Sequence, residues 1–202
     1  MMPYLGFRVR DTSTDAPLGD APALAVLVPR PGSALPPSGG APRPWPGPDA
    51  EPGFFATARN RSGDVVVLDV PAGIHPVEIR AAGYVPRRAR ARSPGSWPVC
   101  VRLHRSADYP FAADDTLLLG TIVRSSGAPG AGLHVRLIDP DPAVPGHRVP
   151  VDARGRYVVY VPEKRSRSAV TLAVAHASGV ARVEIEDVIP HRTHVAPLIV
   201  VP

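Results

Sequence analysis

Apolar and polar residues alternate along most of this chain, and the three-to-four-residue spacing of an amphipathic helix hardly occurs. Alternation sends successive side chains to opposite faces of an extended strand, so it predicts half-buried strands. In residues 5–11, LGFRVRD, Leu5, Phe7 and Val9 fall on one side. Residues 75–84, HPVEIRAAGY, alternate through Val77 and Ile79. Residues 97–105, WPVCVRLHR, set Trp97, Val99, Val101 and Leu103 against Cys100, Arg102 and His104. Two runs, ALAVLVP (23–29) and DVVVLDV (64–70), are continuously apolar, the pattern of strands covered on both faces. Further strands are predicted over 117–123, 133–139, 156–161, 169–177, 181–188 and 194–202. Turn formers such as SSGAPGAG, DPDPAVPG and DARG separate them, so the chain is expected to be all-β.

The two halves carry the same elements in the same order. RNRSGDVVVLDVP in the first matches VDARGRYVVYVP in the second. Around that pair, FRVRD aligns with GTIVR, ALAVLVP with LHVRLIDP, VEIRAAGYVPRRARA with LAVAHASGVARVEIE, and WPVCVRLHR with HVAPLIVVP. A period this long suits tandem domains rather than a solenoid. The expected domains are residues 1–110 and 111–202. In the matched turns, Asn60 and Asp152 are placed to accept backbone hydrogen bonds, while Gly63 and Gly155 supply positive φ. One feature breaks the symmetry. Residues 29–53, PRPGSALPPSGGAPRPWPGPDAEPG, form a proline-rich insertion with no long counterpart in the second half. Trp45, between Pro44 and Pro46, is read either as an anchor of this insertion on its own domain or as a contact to a partner.

These motifs carry a resemblance. VRSSGAPGAGLHVRLIDP followed by VPVDARGRYVVYVP, and VRDTSTDAPLGDAPALAVLVP followed by ARNRSGDVVVLDVPAGIHPVEIRAAGYVP, resemble the transthyretin-like, carboxypeptidase-regulatory-like β-sandwich domain. The resemblance covers nearly the whole chain and implies two such sandwiches in series. It implies no single activity, because modules of this kind host many roles.

Composition fits strands and turns: 27 prolines and 18 glycines in 202 residues, with only 5% aromatics. The net charge of +5 is uneven. Residues 80–105 hold Arg80, Arg87, Arg88, Arg90, Arg92, Arg102 and Arg105 and no acid. Arg88, Arg90 and Arg92 project from one face of an extended strand; such a strip reads as a solvated sheet face or as a candidate contact to a phosphate backbone, an acidic protein or membrane head groups. No aromatic residue interleaves with them to stack bases, which disfavours nucleic acid. Cys100 is the single cysteine, so no disulfide forms within the chain. The opening MMPYLGFRVR lacks the pattern of a secretory leader, and no apolar run is long enough for a membrane-spanning helix. The expectation is a protein made in a bacterial cytoplasm, which leaves the cell, if at all, within a particle.

Candidate chemistry is sparse. Tyr157, Tyr160, His191 and His194 invite comparison with the two-tyrosine, two-histidine iron site of intradiol dioxygenases, which resemble these sandwiches. Here the histidines are three apart instead of two, and the two tyrosines fall on opposite faces of one strand, so a shared iron is not expected. The chain also lacks the YRGS tail of hydroxyisourate hydrolases. His191 and His194 lack the further ligands zinc requires. Glu184, Glu186 and Asp187 read as acids along a strand. No nucleophile elbow and no phosphate loop occur. No catalytic residue, metal or cofactor is therefore assigned. The leading expectation is a non-enzymatic structural or adaptor protein in a multi-subunit assembly of the phage-tail-like or contractile-injection kind, with self-association allowed. A carbohydrate- or peptide-binding accessory module is the alternative, and a divergent metal-dependent enzyme the third.

Overall fold

The computed structural model describes residues 4–19, 24–35, 53–95, 97–138, 148–161 and 167–202. Among these residues every regular element is a strand, and no helix is long and apolar enough to cross a membrane. The chain divides into two compact units, Met1–Arg105 and Ser106–Pro202.

The first unit contains β1 (Tyr4–Asp11), β2 (Ala25–Leu27), β3 (Thr57–Arg59), β4 (Val65–Leu68), β5 (Gly73–Arg80), β6 (Arg87–Ser93) and β7 (Val99–Leu103). They form a four-stranded sheet ordered β3-β4-β1-β7 and a three-stranded sheet ordered β2-β5-β6. Both sheets feed one core. Phe7, Val9, Val67 and Leu103 from the first meet Val26, Val77, Ile79 and Ala91 from the second. That is a β-sandwich, and its alternating apolar positions are what hold the sheets face to face. Each buried Val, Leu, Ile or Phe side chain among them contributes about 1.5–3 kcal/mol.

The second unit contains β8 (Thr116–Arg124), β9 (His134–Ile138), β10 (Arg148–Pro150), β11 (Arg156–Val161), β12 (Arg167–His176), β13 (Gly179–Val188), β14 (Thr193–Val195) and β15 (Ile199–Val201). Its sheets are β10-β9-β12-β13 and β11-β8-β14, with β15 also pairing β8. Leu118, Ile122, Tyr157 and Val159 face Val135, Leu137, Leu172 and Val174 across its core.

The units share a pattern of strand pairing and several turn hydrogen bonds. In each, the opening strand runs antiparallel to one neighbour (β1–β4, β8–β11) and parallel to the closing strand (β1–β7, β8–β14 and β15). Asp11 N donates to Ala16 O, as Arg124 N does to Ala128 O. Leu18 N donates to Val9 O, as Gly130 N does to Ile122 O. Thr12 N reaches Leu103 O, as Ser125 N reaches Val201 O. There is one departure. In the first unit the strand before the matched turn, β3, pairs β4, whereas in the second its counterpart β10 pairs β9 in the other sheet.

The ends of the proline-rich insertion are pinned together. Arg30 N donates to Gly53 O at 2.8 Å, Phe55 N donates to Val28 O at 3.0 Å, and Pro29 bridges Phe54. The Arg30 guanidinium lies 5.7 Å from the centre of the Phe55 ring. Trp45 lies outside the described residues.

Candidate functional site

The matched turns are built the same way. Asn60 Oδ1 accepts hydrogen bonds from the amides of Ser62 and Asp64, both at 2.9 Å. Asp152 Oδ1 accepts from the amides of Arg154 and Arg156, both at 2.8 Å. Gly63 has φ +76° and Gly155 φ +81°. A Cβ on Gly155 would lie 2.5 Å from Ile122 O. Each turn then anchors an ion pair. Arg8 grips Asp64 through Nε at 2.8 Å and Nη2 at 3.0 Å, which holds the Asp64 carboxyl below its ordinary range. In the second unit the charges are exchanged: Arg156 grips Asp108 at 2.9 and 2.7 Å and also bonds Asp152. The Asp108 carboxyl is lowered by that hydrogen bond, and the Arg156 guanidinium is raised by it. These four turn residues organise backbone.

Four of the seven arginines of the strip are ion-paired within their own unit. Glu78 is buried on β5 and accepts from both Arg80 Nε and Arg88 Nε, the latter at 2.7 Å. Arg105 binds Asp11 at 2.9 Å, and Arg102 binds Asp15 at 3.2 Å. Arg87 donates to the Arg102 carbonyl. Arg90 and Arg92 stay exposed on β6, and among the described residues neither makes an ion pair. Of the seven arginines, Arg87, Arg90 and Arg92 thus have no carboxylate partner among the described residues.

The residues considered for metal chemistry are dispersed. Tyr157 is in the core of the second unit, while Tyr160 lies on the opposite face of β11. Burial pushes the Tyr157 phenol up to about 12, and its hydroxyl has no hydrogen-bond partner among the described residues. His191 donates through Nδ1 to the Asp114 carbonyl at 2.7 Å, and its amide donates to Thr116 Oγ1. His194 Nε2 lies 3.0 Å from the Ile189 carbonyl. Both rings therefore fasten the turn before β14. No group of three or more His, Cys, Asp or Glu side chains converges among the described residues.

What the structure does assemble is apolar surface, on the equivalent sheet of each unit taken by itself. In the first, Tyr4 and Trp97 meet edge to face at 5.4 Å, beside Leu68. Trp97 is 41% and Tyr4 43% exposed. The alternation over 97–105 groups Trp97 with the inward Val99, Val101 and Leu103, and this needs correcting. Pro98 separates Trp97 from β7, and the indole swings to the outer face, where its six-membered ring fills the space over Gly6. A Cβ at position 6 would come 1.4 Å from that ring. The apolar run 64–70 is likewise covered on one face only, because Leu68 is exposed.

In the second unit the equivalent face is larger. Val195, Leu198 and Val200 are 80%, 58% and 56% exposed. Register places Val195 beside Leu119 and Val200 beside Val123, so the strip is continuous with the outer side of β8. Among the described residues, β14 and β15 pair only with β8, which leaves their far side an open sheet edge. An apolar strip on an open edge can bind another chain through side-chain burial and main-chain hydrogen bonds together.

No protein-family model matches the sequence, and neither does any curated protein. Solved structures give distant likenesses. The Bacillus anthracis TIE protein is 10% identical, with 98% of this chain and 33% of that chain covered and a TM-score of 0.32. A streptococcal ancillary pilin is 9% identical, with 97% and 62% covered and a TM-score of 0.31. The shaft pilin spaA from Lactobacillus rhamnosus GG is 7% identical, with 100% and 98% covered and a TM-score of 0.30. The chain spans about a third of the first of these and 62% of the second. Superpositions this loose fix neither a family nor an activity.

Proposed function

We propose that this is a non-enzymatic structural or adaptor protein that holds contacts to other proteins in a larger assembly. The observation that carries the reading is the apolar strip of Val195, Leu198 and Val200 on the open edge formed by β14 and β15. Leaving three aliphatic side chains partly in water, 80%, 58% and 56% exposed, forgoes about 1–2 kcal/mol each relative to full burial, which a docked partner would recover. In finer form, the two units are transthyretin-like domains, residues 1–110 and 111–202 in sequence terms, and the assembly is a phage-tail-like or contractile injection particle. The quoted motifs and the repeated pairing of opening and closing strands support the domain reading. Asn60, Gly63, Asp152 and Gly155 serve as its turn residues.

The test is fractionation of native extract by size, followed by capture of the chain and mass spectrometry. Co-migration with a large particle, lost in Val195→Asp or Val200→Asp variants that still fold, supports the reading. Migration at monomer mass with nothing captured overturns it.

A carbohydrate- or peptide-binding module is the second reading, favoured by the exposed Tyr4–Trp97 pair. It predicts retention on a glycan or proline-rich peptide matrix that Trp97→Ala abolishes.

A further inference from the structure

β6 and β13 occupy equivalent places in the two units, each at the rim of its sheet, and their charges are opposite. Among the described residues β6 pairs only with β5, and β13 only with β12. Each therefore leaves one side of its backbone without a strand. On the outer face of β6, Arg90 and Arg92 are exposed. On the outer face of β13, Glu184 and Glu186 are exposed, and neither carboxylate makes an ion pair among the described residues. Ala91 and Ile185 are buried between them on the inner side.

We propose that β6 of one copy of this chain pairs antiparallel with β13 of a second copy. This deepens the assembly reading above and rests on it. One register satisfies both faces at once. With Ala91 opposite Ile185, Arg90 falls opposite Glu186 and Arg92 opposite Glu184. Directly opposed residues on paired antiparallel strands have side chains on the same face, and opposite charges there attract. Arg182, the one cation of β13, then falls beyond the end of β6, opposite Pro94, and meets no like charge. Arg88 needs no partner across the joint, since Glu78 already holds it. Two copies of β6 would instead set arginine against arginine. The charges thus favour the mixed joint, in which both arginines of β6 meet carboxylates, and oppose a β6–β6 one. A joint that uses different surfaces on its two partners is heterologous, so association continues past the dimer unless the rotation closes a ring.

The experiment is sedimentation velocity on the purified full chain, at low and high ionic strength. Three other proteins are run beside it: the double variants Arg90→Glu/Arg92→Glu and Glu184→Arg/Glu186→Arg, and Val195→Asp. Circular dichroism checks that each is folded. Expected are species beyond the monomer for the wild type at low salt, dissociation at high salt, monomers for each charge-reversed variant alone, and association restored when the two are mixed. The mixture is the decisive arm, because reversal on both sides rebuilds the attraction. Association of either reversed variant alone, or none on mixing, overturns the proposal. So does loss of association in Val195→Asp alone, which would move the joint to the apolar strip. A wild type that stays monomeric when pure yet co-migrates with a particle in extract overturns this joint and leaves the assembly reading standing.

Discussion

The Tyr84 hydroxyl donates to Asp11 Oδ2 at 2.7 Å, tying the end of β1 to the turn between β5 and β6 in the opposite sheet. The same oxygen accepts from Arg105 Nε at 2.9 Å, and Oδ1 accepts from the amides of Ser13 and Thr14. Burial alone would raise the Asp11 carboxyl; Tyr84, Arg105 and the two amides outweigh it and hold it below its ordinary value. Loss of one hydroxyl in Tyr84→Phe should cost about 1 kcal/mol. Asp11→Ala should cost about 3 kcal/mol, because it strands Arg105 and the other donors. A depressed folded pKa adds stability above the unfolded value of 3.8 and loses it as pH falls through the folded value. Urea unfolding across the acid range should therefore show a shallower decline for Asp11→Ala than for the wild type.

Gly6→Ala should dislodge Trp97 from β1. The new methyl cannot coexist with the indole where it lies. In a Trp45→Phe background only Trp97 fluoresces, and its emission should shift to the red as the ring moves into water. Overpacking of this kind costs about 1–3 kcal/mol. An unchanged spectrum would contradict the packing described.

The two turn glycines should differ in their tolerance. Gly63→Ala meets a strained φ, but its Cβ would lie 3.2 Å from the Gly19 Cα. Gly155→Ala meets a similar φ and also a carbonyl oxygen at 2.5 Å. The first should cost about 1 kcal/mol and the second about 2–3 kcal/mol. Denaturant midpoints of the two variants would establish the order.

Tyr157→Phe should leave stability unchanged or raise it by about 1–2 kcal/mol, since it removes a buried hydroxyl that has no partner among the described residues. The raised phenol also sets a pH window. The stability tied to the neutral form is complete below pH 10 and is lost as pH rises toward about 12. Alkaline unfolding of the wild type should be steeper than that of Tyr157→Phe over this span.

The parts of the fold legible in the sequence are those set by neighbours along the chain. Leu5, Phe7 and Val9 are buried and Arg8 and Arg10 are not, because a two-residue period needs no knowledge of partners. The element order of the two halves was visible for the same reason. Features set by distant contacts were not. Glu78 stands just before the acid-free stretch 80–105, yet it holds Arg80 along β5 and Arg88 across the β5–β6 pair. Trp97 turns outward because Gly6 leaves room on another strand. The exchange of sheet between β3 and β10 has no local signature. The apolar edge was hidden inside HVAPLIVVP, whose unbroken apolar character gives no hint that Val195 and Val200 face water.

The parallel pairing of opening and closing strands has a mechanical consequence. Phe7–Asp11 lie alongside Val99–Leu103, and β8 lies alongside β14 and β15. When two parallel strands are pulled from the start of one and the end of the other, the force runs along the strands and loads their hydrogen bonds in shear, all at once. Antiparallel terminal strands would open like a zipper, one bond at a time. Each unit is therefore joined to the rest of the chain in the geometry that best withstands tension.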